Sequence, residues 1–126
     1  MLRKIENLPS NVIGIRAEGK VTKEDYESVI IPLLKEQHDQ GNRVRFLYQM
    51  GSDFDEFTLG AAWDDFRIGL KYLRMFEMCA VVTDVDWISK ASKVFGHLIP
   101  CPVKTFTNDQ YKEAVKWLAD PERSQP

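Results

Sequence analysis

Apolar residues recur along this chain first at the two-residue spacing of strands and then, in longer blocks, at the spacing of helices. Leu2 to Asn7 and Val12 to Glu18 read as two short strands around the turn Pro9-Ser10-Asn11, and a hairpin is the economical pairing. From Lys23 to Gln40, Tyr26, Val29, Ile30, Leu33, Leu34 and Gln37 fall on one helical stripe. Thr22 supplies the cap, Asp25 three residues on completes a capping box, and Gly41 closes the far end. Pro32 lies inside this helix, where the missing N–H predicts a bend.

A strand from Arg43 to Tyr48 follows, then an acidic loop, Gly51-Ser52-Asp53-Phe54-Asp55, and a long helix from Glu56 to Arg74. Met78 to Thr83 is an unbroken apolar run, the signature of a strand buried on both faces. A helix over Asp86–Gly96, a strand over Val103–Phe106 and a last helix with Tyr111, Ala114, Val115 and Leu118 on its inner face complete the order, and Pro121 ends that helix. After the opening hairpin, strand and helix alternate. That order predicts an α/β domain: a mostly parallel five-stranded sheet with an N-terminal antiparallel hairpin and four helices. The 126 residues are expected to form a single domain, with 120–126 as a polar C-terminal tail.

Composition narrows the function. Hydrophobic residues make up 44% and charged residues 29%, the balance of a chain that buries one core without disulfides or structural metal. A net charge of -2 gives no general attraction to nucleic acid. No signal-like or membrane-spanning run is present in the sequence, so a cytoplasmic protein is expected. Cys79 and Cys101 stand far apart within apolar runs and are expected to be buried, reduced thiols. With only His38 and His97 besides, no usual zinc spacing occurs, and the scattered glycines form no phosphate loop; no cofactor is expected.

The stretch Gly19-Lys20-Val21-Thr22-Lys23-Glu24-Asp25-Tyr26, then Pro32, Trp63-Asp64-Asp65, Ala80-Val81-Val82-Thr83-Asp84 with Trp87, and Phe106, Ala114 and Trp117-Leu118, together resemble the SpoIIAA-like proteins of the STAS superfamily. The likeness runs from about Asn7 to Leu118. It implies a four-turn β-α superhelix, a fold shared with CRAL-TRIO lipid-binding domains. STAS relatives imply a protein-binding module, some of them switched by phosphorylation of a serine at a helix start. This chain departs there, because Gly51-Ser52-Asp53-Phe54-Asp55-Glu56 lacks the Asp-Ser-Gly-like stretch and would surround a phosphate on Ser52 with carboxylates. CRAL-TRIO relatives imply an apolar ligand between helix and sheet.

The helix from Glu56 to Arg74 carries apolar residues on two sides. At about 100° per position, Leu59, Ala62, Trp63, Phe66, Leu70 and Leu73 form one stripe, the expected core face. Phe57, Ala61, Ile68 and Tyr72 form a second, roughly 160° away, edged by Asp64 and Asp65 and flanked by Lys71, with Arg67 and Arg74 further round. Three readings are open: cover by the chain's own loop or tail, a subunit or partner interface, and a lid or membrane-facing element whose basic residues meet head groups. In the last, Gly51 and Phe54 would let the helix hinge.

Asp84 and Asp86 follow the central strand at the end where open α/β sheets place ligands, and two carboxylates there could hold Mg²⁺ in a small metal-assisted hydrolase. Asp86 equally suits a helix start. Trp63 and Trp117 are expected in the core, and Trp87 at a pocket mouth. The reading these residues favour is a non-catalytic binding module for an apolar or amphipathic small molecule or lipid. Its site would comprise Phe54, Phe57, Ala61, Ile68, Lys71, Tyr72 and Trp87, with the protein peripheral at the inner membrane surface. The alternative is a STAS-type protein-protein module acting as a homodimer.

Overall fold

A computed structural model describes residues 1–97 and 100–120; within its helices, the side chains of Leu59, Asp65, Phe66, Gly69, Leu70, Leu73 and Phe95 lie outside the described set. The expected polar tail beyond Asp120 lies outside it as well. The elements, in order, are β1 (Leu2–Lys4), β2 (Val12–Val21), α1 (Lys23–Asp25), α2 (Ile31–Asp39), β3 (Val44–Phe57), α3 (Leu59–Lys71), β4 (Phe76–Val82), α4 (Asp86–Gly96), β5 (Val103–Phe106) and α5 (Tyr111–Ala119).

The five strands lie in sequence order, β1 antiparallel to β2 and all other neighbours parallel. Side chains alternate across the sheet, so each strand feeds two cores. On one face, Ile15, Ala17, Phe46 and Met50 pack with Ile30 and Leu34 of the first helical region, Ala61 and Ile68 of α3, Tyr72 just after it, and Ile88 of α4. On the other, Leu47, Met78, Ala80 and Val82 pack with Ala114 and Leu118 of α5. Three helical regions therefore share one side of the sheet, and α5 covers the reverse. Arg45 is buried on that reverse side, where Nε meets Glu77 Oε2 at 3.0 Å and Nη1 donates to the carbonyls of Leu118 and Asp120. It staples the end of α5 to the sheet.

The capping box at Thr22 and Asp25 forms as expected. Pro32 acts less simply than a bend. Between α1 and α2 the backbone widens into a π-helical segment, Tyr26–Ile30, in which the Ile31 N–H reaches back to Tyr26 O. The wider turn makes room for the proline ring, which sits in the first turn of α2, where a missing N–H costs least.

The largest correction concerns Gly51 to Asp55. Instead of a loop, this acidic stretch continues β3 to Phe57, pairing with β2 at Gly19↔Phe54, Lys20↔Glu56 and Val21↔Phe57 across two register shifts. Gly, Ser and Asp are poor strand formers, yet β2 offers an open ladder and its Gly19, at φ 56°, absorbs the irregularity. Thr58 then caps α3 directly, and its N–H donates to Val21 O at 2.9 Å. Phe54 and Phe57 thus belong to a hydrogen-bonded strand rather than to a hinge or the helix.

Candidate functional site

Two anchors set the orientation of α3. The Thr58 hydroxyl accepts from Ala61 N at 3.1 Å, and Gly60 passes so close to the first helix that an added Cβ would stand 3.1 Å from Lys23 Cβ. With the N-terminus held this way, Ala61, Asp64, Ile68 and Tyr72, at spacings of three and four, turn inward and are buried. This reverses the expected facing. The stripe foreseen as surplus is the core face, whereas Ala62 is exposed and Trp63 is 62% exposed. Leu59, Phe66, Leu70 and Leu73, expected on the core face, lie outside the described side chains.

Both sides of the helix are apolar, so their spacing could not tell in from out. Asp64, expected at the edge of the second stripe, lies at its centre and is 1% exposed. Its Oδ1 pairs with Arg67 Nη2 at 3.3 Å, and its buried Oδ2 has no hydrogen-bond partner. A carboxylate at the centre of a core face is rare enough that composition argues against it. Phe54 and Phe57 are half-buried against the same core, ring centroids 4.9 Å apart, and Phe57 meets Tyr48 edge-on at 6.3 Å.

Outward from α3, Trp63, Arg67 and Lys71 follow one another at intervals of four and are exposed, with Arg74 exposed beyond the helix end. On the same face of the sheet, α4 buries Ile88 in the same core and exposes Trp87 and, two turns on, Val94 at 65%. Lys90 and Lys93 lie between and beside them, Lys90 paired with Asp86 at 2.9 Å. Both α3 and α4 bury one side in the core on the same face of the sheet and turn the other outward. Those outward sides, with Arg74 just beyond α3, present two tryptophans, a valine and five basic side chains.

Near the C-terminal ends of α2 and α3, an open groove of about 500 Å³ is lined by His38, Gly41, Asn42, Lys71, Tyr72, Arg74 and Met75. Tyr72 forms part of its wall, edge-on to His38 at 5.6 Å and with Lys71 Nζ 5.4 Å from its ring centre. The groove stands at the amino ends of β3 and β4, away from the end where the two aspartates lie. At that opposite end, both Asp84 oxygens accept from Asn108, and Asp86 opens α4. Among the described residues no group of three His, Cys, Asp or Glu side chains is placed to hold a metal, and no helix is long and apolar enough to cross a membrane. Trp117 is half-buried against Phe106 at 6.0 Å.

A mixed sheet with three helical regions on one face and one on the other, entered through a capped Thr-Lys-Glu-Asp turn, is an arrangement with known counterparts. The family profile described as SpoIIAA-like matches residues 12–119. The chain belongs to the SpoIIAA-like family. A solved structure similar to this SpoIIAA-like chain is an uncharacterised protein with a SpoIIAA-like fold from Shewanella loihica; the two are 25% identical, superpose with a TM-score of 0.76, and each is covered over 93% of its length. No curated protein matches the chain. The five-stranded α/β architecture expected from the order of elements is thus the SpoIIAA-like fold, and that fold supports an interaction or regulatory module.

Proposed function

We propose that this SpoIIAA-like chain is a non-catalytic module that associates peripherally with anionic lipid surfaces through the outer sides of α3 and α4. The observation that carries the reading is Trp63, 62% exposed on a helix whose opposite side is anchored in the core. An indole exposed to this extent presents apolar area at the surface, and tryptophan favours the boundary between hydrocarbon and head group. Trp87 and Val94 on α4, a second helix on the same face of the sheet, are likewise exposed.

Charge supports the choice of lipid. The whole chain carries -2, yet Arg67, Lys71 and Arg74 stand exposed on and just beyond α3 with Trp63, and Lys90 and Lys93 on α4 with Trp87 and Val94. Asp64 and Asp86 partly offset them through their pairs with Arg67 and Lys90. Basic residues beside an exposed apolar stripe suit an anionic interface, each contributing about 1 kcal/mol near a charged membrane surface. Lipid along the outside of α3 fits better than an apolar molecule beneath it, because Ala61, Ile68 and Tyr72 already fill that side.

The test uses the protein with Trp87→Phe and Trp117→Phe, leaving Trp63 as the sole indole. Vesicles of phosphatidylcholine with phosphatidylserine should shift its emission to the blue, with less effect from phosphatidylcholine alone and reversal by salt. Emission unmoved by anionic vesicles at low salt would overturn the lipid reading. If sedimentation velocity instead shows a dimer that Trp63→Asp dissociates, the same surface is a protein interface, the reading that tryptophan and arginine side by side also suit.

A further inference from the structure

Cys79 and Cys101, 22 positions apart in sequence, meet at the edge of the sheet. Cys79 lies in β4, level with Val103 of β5, and its N–H donates to Pro102 O at 3.0 Å. This parallel pairing draws the segment entering β5 alongside β4, so the residue before Pro102 comes next to Cys79. The two thiols are thereby brought close enough to influence each other's titration. Both are free thiols, but they are half-buried rather than buried as expected, and Cys101 precedes its strand instead of lying in it. Arg43, whose Nη2 donates to Phe76 O at 3.3 Å at the start of β4, places its positive charge near Cys101.

We propose that Cys79 and Cys101 are a hydroperoxide-sensitive dithiol that closes reversibly into a disulfide, locking the β4–α4–β5 crossover. The two sulfurs have different parts. The neighbouring Cys79 side chain holds the Cys101 thiol below its ordinary pKa, with Arg43 acting in the same direction against burial. The same approach of Cys101, together with burial, pushes the Cys79 thiol well up. Cys101 is thus the nucleophile and Cys79 the resolving thiol.

In the first step the Cys101 thiolate attacks the hydroperoxide; an S–O bond forms, the O–O bond breaks, and the alkoxide leaves and takes up the proton that Cys101 released. In the second, Cys79 sulfur attacks the sulfenic sulfur; the S–S bond forms, the S–O bond breaks, and the hydroxyl departs as water with the Cys79 proton. Two thiols lose two electrons and two protons, and one hydroperoxide becomes an alcohol and water. The closed loop contains all of α4, including Trp87 and Val94, so oxidation fixes the crossover that carries these two exposed side chains.

The experiment treats the reduced protein with hydrogen peroxide under native conditions. Intact mass should fall by two hydrogens, with loss of both alkylatable thiols, restoration by dithiothreitol, and a rise in the melting temperature of several degrees, since a covalent loop constrains the unfolded chain. Peroxide with dimedone should then label Cys101 in Cys79→Ser, while Cys79 in Cys101→Ser stays unlabelled. Two thiols still free after peroxide, or a crosslink only between chains, would overturn the proposal. Dimedone on Cys79 rather than Cys101 would overturn the assignment of nucleophile. The wild-type mass measurement stands even if either variant folds poorly.

Discussion

Asn108 holds both oxygens of Asp84: its backbone N–H donates to Oδ1 at 3.0 Å and its side-chain amide to Oδ2 at 3.0 Å. The amide also donates to Met50 O at 2.9 Å, and Gln49 Nε2 donates to Asn108 Oδ1 at 3.0 Å. The middle of β3 and the carboxyl end of β4 are thereby tied to the turn that leads into α5. The two carboxylates expected as a candidate Mg²⁺ site have separate partners, Asp84 tied to Asn108 and Asp86 to Lys90.

This tie gives the fold a signature in acid. The backbone N–H of Asn108 and then its side chain hold the Asp84 carboxyl below its ordinary value of 3.8. Between that value and the lower folded one, the unfolded chain binds more protons, so the contribution is present above 3.8 and is lost as pH falls through the window. Asp84→Asn should melt below the natural sequence at neutral pH, and the gap should close in acid. Thermal melts across that range check this; a gap independent of pH would contradict it.

Arg45 should be costly to remove. Arg45→Ala strands Glu77, frees the terminal carbonyls of α5 that Arg45 caps, and opens a space beneath Leu118. A loss of about 3 kcal/mol is expected from breaking a buried pair on one side. Urea unfolding measures the total, and hydrogen exchange should show the added opening concentrated in α5.

Trp63 and Ile68 should behave as opposites. Ile68→Ala, on the buried side of α3, is expected to cost about 2–5 kcal/mol in chemical unfolding. Trp63→Ala, on the exposed side, should stay within about 0.5 kcal/mol while abolishing vesicle association. The reverse ranking would mean that α3 faces the other way.

Much of the architecture is legible along the chain because its causes are local. Thr22 and Asp25 make their cap from neighbouring backbone groups, and the apolar run around Ala80 signals a strand covered on both sides. The alternation of strands and helices after one hairpin limits the topology to very few forms. The candidate site was legible only in part. Two apolar stripes on the α3 segment were visible, but not which would remain outside, since either could have filled the core.

Element types and their order, the caps and the family resemblance were determined by residues within a few positions of one another, where backbone geometry leaves few choices. The facing of α3, the extension of β3 through Asp53 and Asp55, the burial of Asp64 and the meeting of Cys79 with Cys101 were decided only in three dimensions. Each depends on a partner far away in sequence: Lys23 beside Gly60, the open ladder of β2, and the strand pairing of β4 with β5. Spacing reports what a segment can bury; the neighbour that arrives from elsewhere in the chain selects the side.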